Sequence, residues 1–101
     1  MTGIFMQVYS SVLEMIGRTP MLRVSRLDTG PCELYLKLEL MNPGGSIKDR
    51  IGVSMIEEAE RRGRIHPGDT LVEATAGNTG LGLALIAAQK GYKLTWCCPT
   101  R

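Results

Sequence analysis

Two loops hold residue types that can do chemistry. The first is Asn42-Pro43-Gly44-Gly45-Ser46-Ile47-Lys48-Asp49-Arg50. Its glycines let a ligand come close to the backbone. Lys48 falls in the first turn of an expected helix. The positive end of a helix dipole disfavours an ammonium relative to the neutral amine, and the neutral amine is the nucleophile that condenses with an aldehyde to a Schiff base. The plainer alternative is a solvent-facing lysine beside a capping Asp49. The second loop is Thr75-Ala76-Gly77-Asn78-Thr79-Gly80. Its hydroxyls, amide and backbone N–H groups stand before an expected helix, which suits a carboxylate or a phosphate. The plainer alternative here is a βα turn whose glycines only serve helix packing. The order Gly77-Asn78-Thr79-Gly80-Leu81-Gly82 is not the dinucleotide G-x-G-x-x-G, and no G-x-x-x-x-G-K-[ST] is present.

The elements that must position these loops follow from hydrophobic spacing and breakers. Ser10 to Ile16 is a short apolar-periodic piece closed by Gly17, and Met21 to Val24 reads as a strand. Leu34 to Leu40, alternating from Leu36 onward, reads as a strand, after a turn cluster at Asp28-Thr29-Gly30-Pro31. Ser46 is the expected N-cap, in a capping-box relation with Asp49, of a helix from about Ile47 to Arg62. Ile51, Met55, Ile56 and Ala59 form its apolar stripe, and Glu57/Arg61, Glu58/Arg62 and Glu60/Arg64 are spaced to pair on its outer face. Thr70 to Glu73 is a short strand. Leu81 to Lys90 is a helix apolar nearly all round, hence expected to be buried, with Gly91 as its C′ residue. Tyr92 to Trp96 opens a further strand. Strand, helix, strand, helix, strand predicts an α/β fold on a parallel sheet, with ligands beyond the carboxyl ends of the strands.

The bulk numbers narrow the function classes. A chain of 101 residues makes one small domain of modest burial. A hydrophobic fraction of 44% with 22% charged residues describes an ordinary globular protein and argues against disorder. The net charge of +2 gives no reason to expect nucleic acid or an anionic membrane as partner. No apolar run reaches membrane-spanning length and no signal peptide is evident. Cys32, Cys97 and Cys98 do not read as a disulfide framework, so a reducing cytoplasm is expected. His66, the single histidine, sits in a turn at Pro67-Gly68, and no metal site is expected.

The segment P-G-G-S-I-K-D-R at Pro43 to Arg50, followed by P-G-D-T-L-V-E-A-T-A-G-N-T-G at Pro67 to Gly80, resembles the cysteine synthase / cystathionine β-synthase family. Ile16-Gly17-Arg18-Thr19-Pro20-Met21 is similar to that family's opening, and the resemblance runs from about Val12 to Thr95. It implies a partial three-layer parallel-sheet domain of a fold-type-II enzyme dependent on pyridoxal 5'-phosphate. By the resemblance, Lys48 carries the cofactor in Schiff-base linkage, takes the substrate's α-proton and returns it. Asn78 hydrogen-bonds the cofactor's ring oxygen. Thr75, Ala76, Asn78 and Thr79 grip the amino acid's α-carboxylate. The implied reaction removes a leaving group from the β-carbon of serine or O-acetylserine, after which a thiol or sulfide adds; the cofactor is the electron sink. Position 76 is Ala where many cysteine synthases carry Ser. A hydrogen bond there is worth about 0.5–1.5 kcal/mol, so the change tunes the site and leans toward a cystathionine β-synthase-like member.

The family's glycine-rich phosphate loop and its group facing the pyridine nitrogen lie downstream of this sequence. Residues 1–101 are therefore expected to be an N-terminal fragment without the second domain, inactive alone, from a parent that forms a homodimer. The tail from Trp96 to Arg101 departs from the apolar strand that the resemblance implies. Under one choice of codons a shifted frame reads Leu-Val-Leu-Pro-Asp-Lys, so the tail is expected to be a frameshift product in which Trp96, Cys97 and Cys98 have no function. The competing reading is a non-catalytic interaction module derived from such an enzyme, using an open sheet edge. A nucleotide-binding α/β domain fits the glycine order poorly.

Overall fold

The computed structural model describes residues 6–75 and 77–97. Ala76, one of the expected carboxylate-binding residues, lies outside them, as do Cys98 and the rest of the tail. The chain begins with a 3-10 turn over Val12–Met15, capped by the Ser11 hydroxyl, which accepts from Leu13 N. Strand β1 (Met21–Val24) pairs antiparallel with β2 (Leu34–Lys37), Met21 opposite Lys37 and Val24 opposite Leu34. The turn between them is closed by the Asp28 carboxylate, which accepts from Gly30 N at 2.9 Å. A 3-10 turn over Glu39–Met41 leads into helix α1 (Lys48–Arg61). Strand β3 (Thr70–Ala74), helix α2 (Asn78–Lys90) and strand β4 (Lys93–Cys97) follow. No helix among the described residues is long and apolar enough to cross a membrane.

The α/β reading holds, with one rearrangement. β3 and β4 are parallel, Thr70 opposite Lys93 and Ala74 opposite Cys97, with α2 as the crossover. The strand expected over Leu34 to Leu40 does not join them. It pairs with β1 instead and stops at Lys37, because Glu39 and Asn42 draw the backbone into a 3-10 turn in which Asn42 N donates to Glu39 O at 3.1 Å.

The core is small and sits where α2 meets α1 and the parallel pair. Ile56, Leu83, Ile86, Ala87 and Tyr92 are buried, with Leu13, Ile16, Val53, Ile65, Leu71 and Leu94 packed around them. Leu71 and Leu94 face α2, while Thr70, Val72 and Ala74 lie on the open face of β3. Gly91 closes α2 in the left-handed region at φ 82°, its N–H returned to Ala87 O, so the chain reverses straight into β4. β4 runs on through Trp96 and Cys97, so that part of the tail continues the sheet.

Three helix expectations change. The buried face of α1 is Asp49, Gly52 and Ile56, whereas Ile51 and Met55 are 39% and 49% exposed. Gly52 replaces the bulkier pair at the contact because a Cβ there would meet Ile86 Cδ1 at 2.6 Å and Gly82 C at 3.3 Å. α2 is not buried all round: Leu81 is 46% exposed on the side away from α1. Glu58 pairs with Arg62 as spaced, but Arg61 also turns to Glu58, and Glu60 faces inward to Lys90 Nζ at 2.7 Å and to the Tyr92 hydroxyl at 2.8 Å. That inward tie holds the Glu60 carboxyl below its usual range, chiefly through Lys90 and then Tyr92. Burial first, then the Glu60 carboxylate, pushes the Tyr92 phenol up to about 12.

Candidate active site

The lysine loop is fixed from both sides. Asn42, only 4% exposed, accepts from Gly17 N at 2.8 Å through its side-chain oxygen. Pro43, Gly44 and Gly45 then turn the chain toward α1. The expected capping box does not form. Ser46 Oγ does accept from Lys48 N at 3.1 Å, but the Asp49 carboxylate reaches past Ser46 and accepts from Gly44 N at 2.5 Å. Asp49 is fully buried in doing so, and its other oxygen has no partner among the described residues. A side chain at Gly44 would collide with that carboxylate, which is why the loop takes glycine there. Lys48 itself is half-buried.

The second loop meets the first through α2. The carbonyl of Lys48 lies against Gly82, where a Cβ would stand 3.0 Å from Lys48 O and 3.2 Å from Asp49 Cα. Farther along, Gly52 meets Ile86, and Glu60 meets Lys90 and Tyr92. Partners rise together along the two helices, so α1 and α2 run in the same direction with both N-termini at one end. Asn78 is four residues before Gly82, about one turn or 6 Å along the axis. The first turn of α2 therefore opens beside Lys48, and two positive helix ends face one region. The helix begins at Asn78 and not at Leu81, because Gly77 in extended conformation is its N-cap and Gly80 N already donates to Gly77 O at 3.2 Å.

Of the expected binding residues, Thr75 and Thr79 are half-buried and Asn78 is exposed. Thr75 Oγ1 accepts from Gly77 N at 3.1 Å and so shapes the turn. The Thr75 carbonyl accepts from the Trp96 indole, whose ring lies on Gly80. A carboxylate, or the anionic end of a cofactor, would be met at this end by free N–H groups of α2 and by the threonine hydroxyls. Lys48 would supply the amine from the neighbouring helix. The residues present thus fit one side of a pyridoxal 5'-phosphate site. Two concavities, of about 390 and 420 Å³, lie instead along β1 and its turn and include neither Lys48 nor Asn78. The first is a shallow trough between Leu22, Val24, Leu27, Leu34 and Leu36. Volume alone does not make a reactive site, and the chemistry follows the amine and the helix ends.

Behind Lys48 lies a clasp that sequence spacing does not reveal. Glu39 takes Arg50 in a two-point pair, Nε to Oε1 at 2.7 Å and Nη2 to Oε2 at 3.0 Å. Thr19 Oγ1 donates to Glu39 Oε2 at 2.8 Å, and Asn42 Nδ2 donates to Oε1 at 3.1 Å. Hydrogen bonds from Arg50, then from Thr19, hold the Glu39 carboxyl down to about 2, and the same pairing raises Arg50. The available signal was an acidic residue at the end of a strand with an arginine in the first helical turn, which spacing alone does not join.

Comparison with known proteins bears on the family and the fold. The profile of the family described as "Pyridoxal-phosphate dependent enzyme" matches residues 12–101. A cysteine synthase of Staphylococcus aureus is 51% identical over 90 residues, which is 88% of this chain and 29% of that protein. A cystathionine beta-synthase of Rattus norvegicus is 49% identical over 98 residues, 94% of this chain and 18% of that protein. Among solved structures, a hydrogen sulfide-producing enzyme from Fusobacterium nucleatum superposes with a TM-score of 0.88 at 48% identity, over 96% of this chain and 32% of that one. The chain thus spans less than a third of the relatives it matches. On the match over residues 12–101, this chain belongs to the pyridoxal-phosphate dependent enzyme family.

Proposed function

We propose that this chain is the lysine-bearing N-terminal part of a pyridoxal-phosphate-dependent β-replacement enzyme of sulfur amino-acid metabolism, of the cysteine synthase or cystathionine β-synthase kind. The observation that carries the proposal is the pair of co-directed helices, with Lys48 at the start of α1 and its carbonyl against Gly82 in the second turn of α2, about one turn from Asn78. Lys48 Nζ holds the cofactor, takes the α-proton of the bound amino acid and returns it to the product. The Asn78 amide orients the cofactor ring. Thr75, Ala76 and Thr79, with the free N–H groups of α2, receive the α-carboxylate of serine or O-acetylserine. The cofactor supplies an electron sink, so that the β-substituent can leave and a thiol or sulfide can add. The parent enzyme is a homodimer and works in a reducing cytoplasm.

The test uses the full 101-residue chain. After incubation with pyridoxal 5'-phosphate and borohydride reduction, peptide mass spectrometry should find the adduct mainly on Lys48. Lys48→Ala should abolish it without moving label to Lys93. Equal labelling of Lys48 and Lys93 in the wild type would defeat the proposal. A second reading, a non-catalytic interaction module, draws on the open face of β3, where Val72 is 69% exposed. It predicts capture of a full-length relative by the immobilised chain, lost in Val72→Lys.

A further inference from the structure

We propose that Glu39 is a positioning residue for Lys48, locking Arg50 and through it fixing how the first turn of α1 presents the lysine. The inference rests on the reading of Lys48 as the cofactor lysine. Arg50 follows Lys48 by two residues, about 200° around the helix at 3.6 residues per turn. Holding Arg50 on one side of α1 therefore sets the direction of Lys48 on the other. A two-point carboxylate–guanidinium pair fixes the plane of both groups, which a single contact does not.

The pair is also embedded. Arg50 Nη2 donates to Gly17 O at 3.0 Å and to Thr19 Oγ1 at 3.3 Å, and a Cβ on Gly17 would stand 2.9 Å from Arg50 Nη1. Asn42, which opens the lysine loop, donates to both the backbone and the side chain of Glu39 and accepts from Gly17 N. Three segments remote in sequence (residues 17–19, 39–42 and the start of α1) thus close on one carboxylate. An isolated exposed ion pair would contribute little. Here the Glu39 side chain is 19% exposed, and its oxygens accept from Arg50, Thr19 and Asn42. With Asp49 gripping Gly44 on the other flank, Lys48 stands between two fixed points. A stability role alone would need no such convergence at the residues flanking one lysine.

The experiment measures, in the full chain, the ratio of borohydride-trapped pyridoxal-phosphate adduct on Lys48 to that on Lys93. Amide hydrogen exchange is followed in the same samples. Glu39→Gln should lower the ratio roughly tenfold, as expected for the loss of a charged hydrogen bond, and should speed exchange at the Gly17 and Lys48 amides. Protection at Ile86 and Ala87 should stay as in wild type. Glu39→Asp should restore part of the ratio. Tyr92→Phe, which cuts a tie at the far end of the same helices, should leave it unchanged. The inference is overturned if Glu39→Gln keeps the wild-type ratio, or if Tyr92→Phe lowers it as much. Should Glu39→Gln fail to fold, Thr19→Val removes one arm of the clasp and must lower the ratio by a smaller factor. If wild type shows no preference for Lys48, the cofactor reading fails. The exchange at Gly17 and Lys48 then still decides whether Glu39 fixes this turn.

Discussion

The helical body and the β1–β2 hairpin are held together by different forces. In the body, Ile56, Leu83, Ile86 and Ala87 are 5% exposed or less, and the helices touch at glycines. In the hairpin, Met21, Leu22, Leu34, Tyr35 and Leu36 are all at least 37% exposed, and the two strands' main partner is each other. A lone two-stranded hairpin is marginal in water. What fastens this one to the body is polar: Thr19 and Glu39 at its base, joined to Arg50 of α1. Apolar burial stabilises the body, while hydrogen bonds orient the part that abuts the lysine.

The contrast is broken hardest in the core. Ile86→Ala should destabilise the chain by about 2–5 kcal/mol in urea unfolding, whereas Leu22→Ala in the hairpin should stay within about 0.5 kcal/mol. Next comes the helix contact. Gly82→Ala would press a methyl against Lys48 O and Asp49 Cα. Separating α1 from α2 to admit it should cost about 1–3 kcal/mol, and the Lys48 adduct should fall with it. The clasp shows itself in acid. The Glu39 carboxyl ordinarily titrates at 4.5 and is held at about 2 in the fold. Its contribution is therefore complete above pH 4.5 and lost as pH falls toward 2. The stability gap between wild type and Glu39→Gln should be flat above that window and close within it. A smaller effect than in the core or at the helix contact is expected at Trp96→Phe. It keeps a ring on Gly80 but removes the donor to the Thr75 carbonyl, about 0.5–1.5 kcal/mol by thermal melting.

The local chemistry of the chain was legible. Gly91 as terminator and the Ser46 hydroxyl on the Lys48 amide are decided by near neighbours, and the structure has both, although the cap position itself falls on Ile47 and Gly44 makes room for the Asp49 carboxylate. Pairings across distance were not. Leu34 to Leu40 alternates like one strand, yet Glu39 answers to Thr19 and Arg50, and its turn ends the strand. The apolar stripe of α1 was misplaced because hydrophobicity counts side chains, whereas Gly52 earns its burial by having none. Asp49 looked like a capping acid, but the N–H it serves belongs to Gly44. The Lys48, Thr75, Asn78 and Thr79 assignments came from motif resemblance, and the crossing at Gly82, which no motif specifies, puts their two segments side by side.

That crossing also acts as a fulcrum. Gly52 and Gly82 touch near the start of both helices, so any rocking of one rod against the other turns about that point. Lys48, whose carbonyl lies against Gly82, is at most four residues or about 6 Å from it, whereas Arg61 lies nine residues beyond Gly52, about 14 Å. A tilt of about 10° would carry the far end through about 2.4 Å but the lysine through only about 1 Å, given that rise per residue. Glu60, tied to Lys90 and Tyr92, restrains the long arm of the lever, where leverage is greatest. The reactive amine rides on the short arm, and thermal rocking of the helices is geared down before it reaches the lysine.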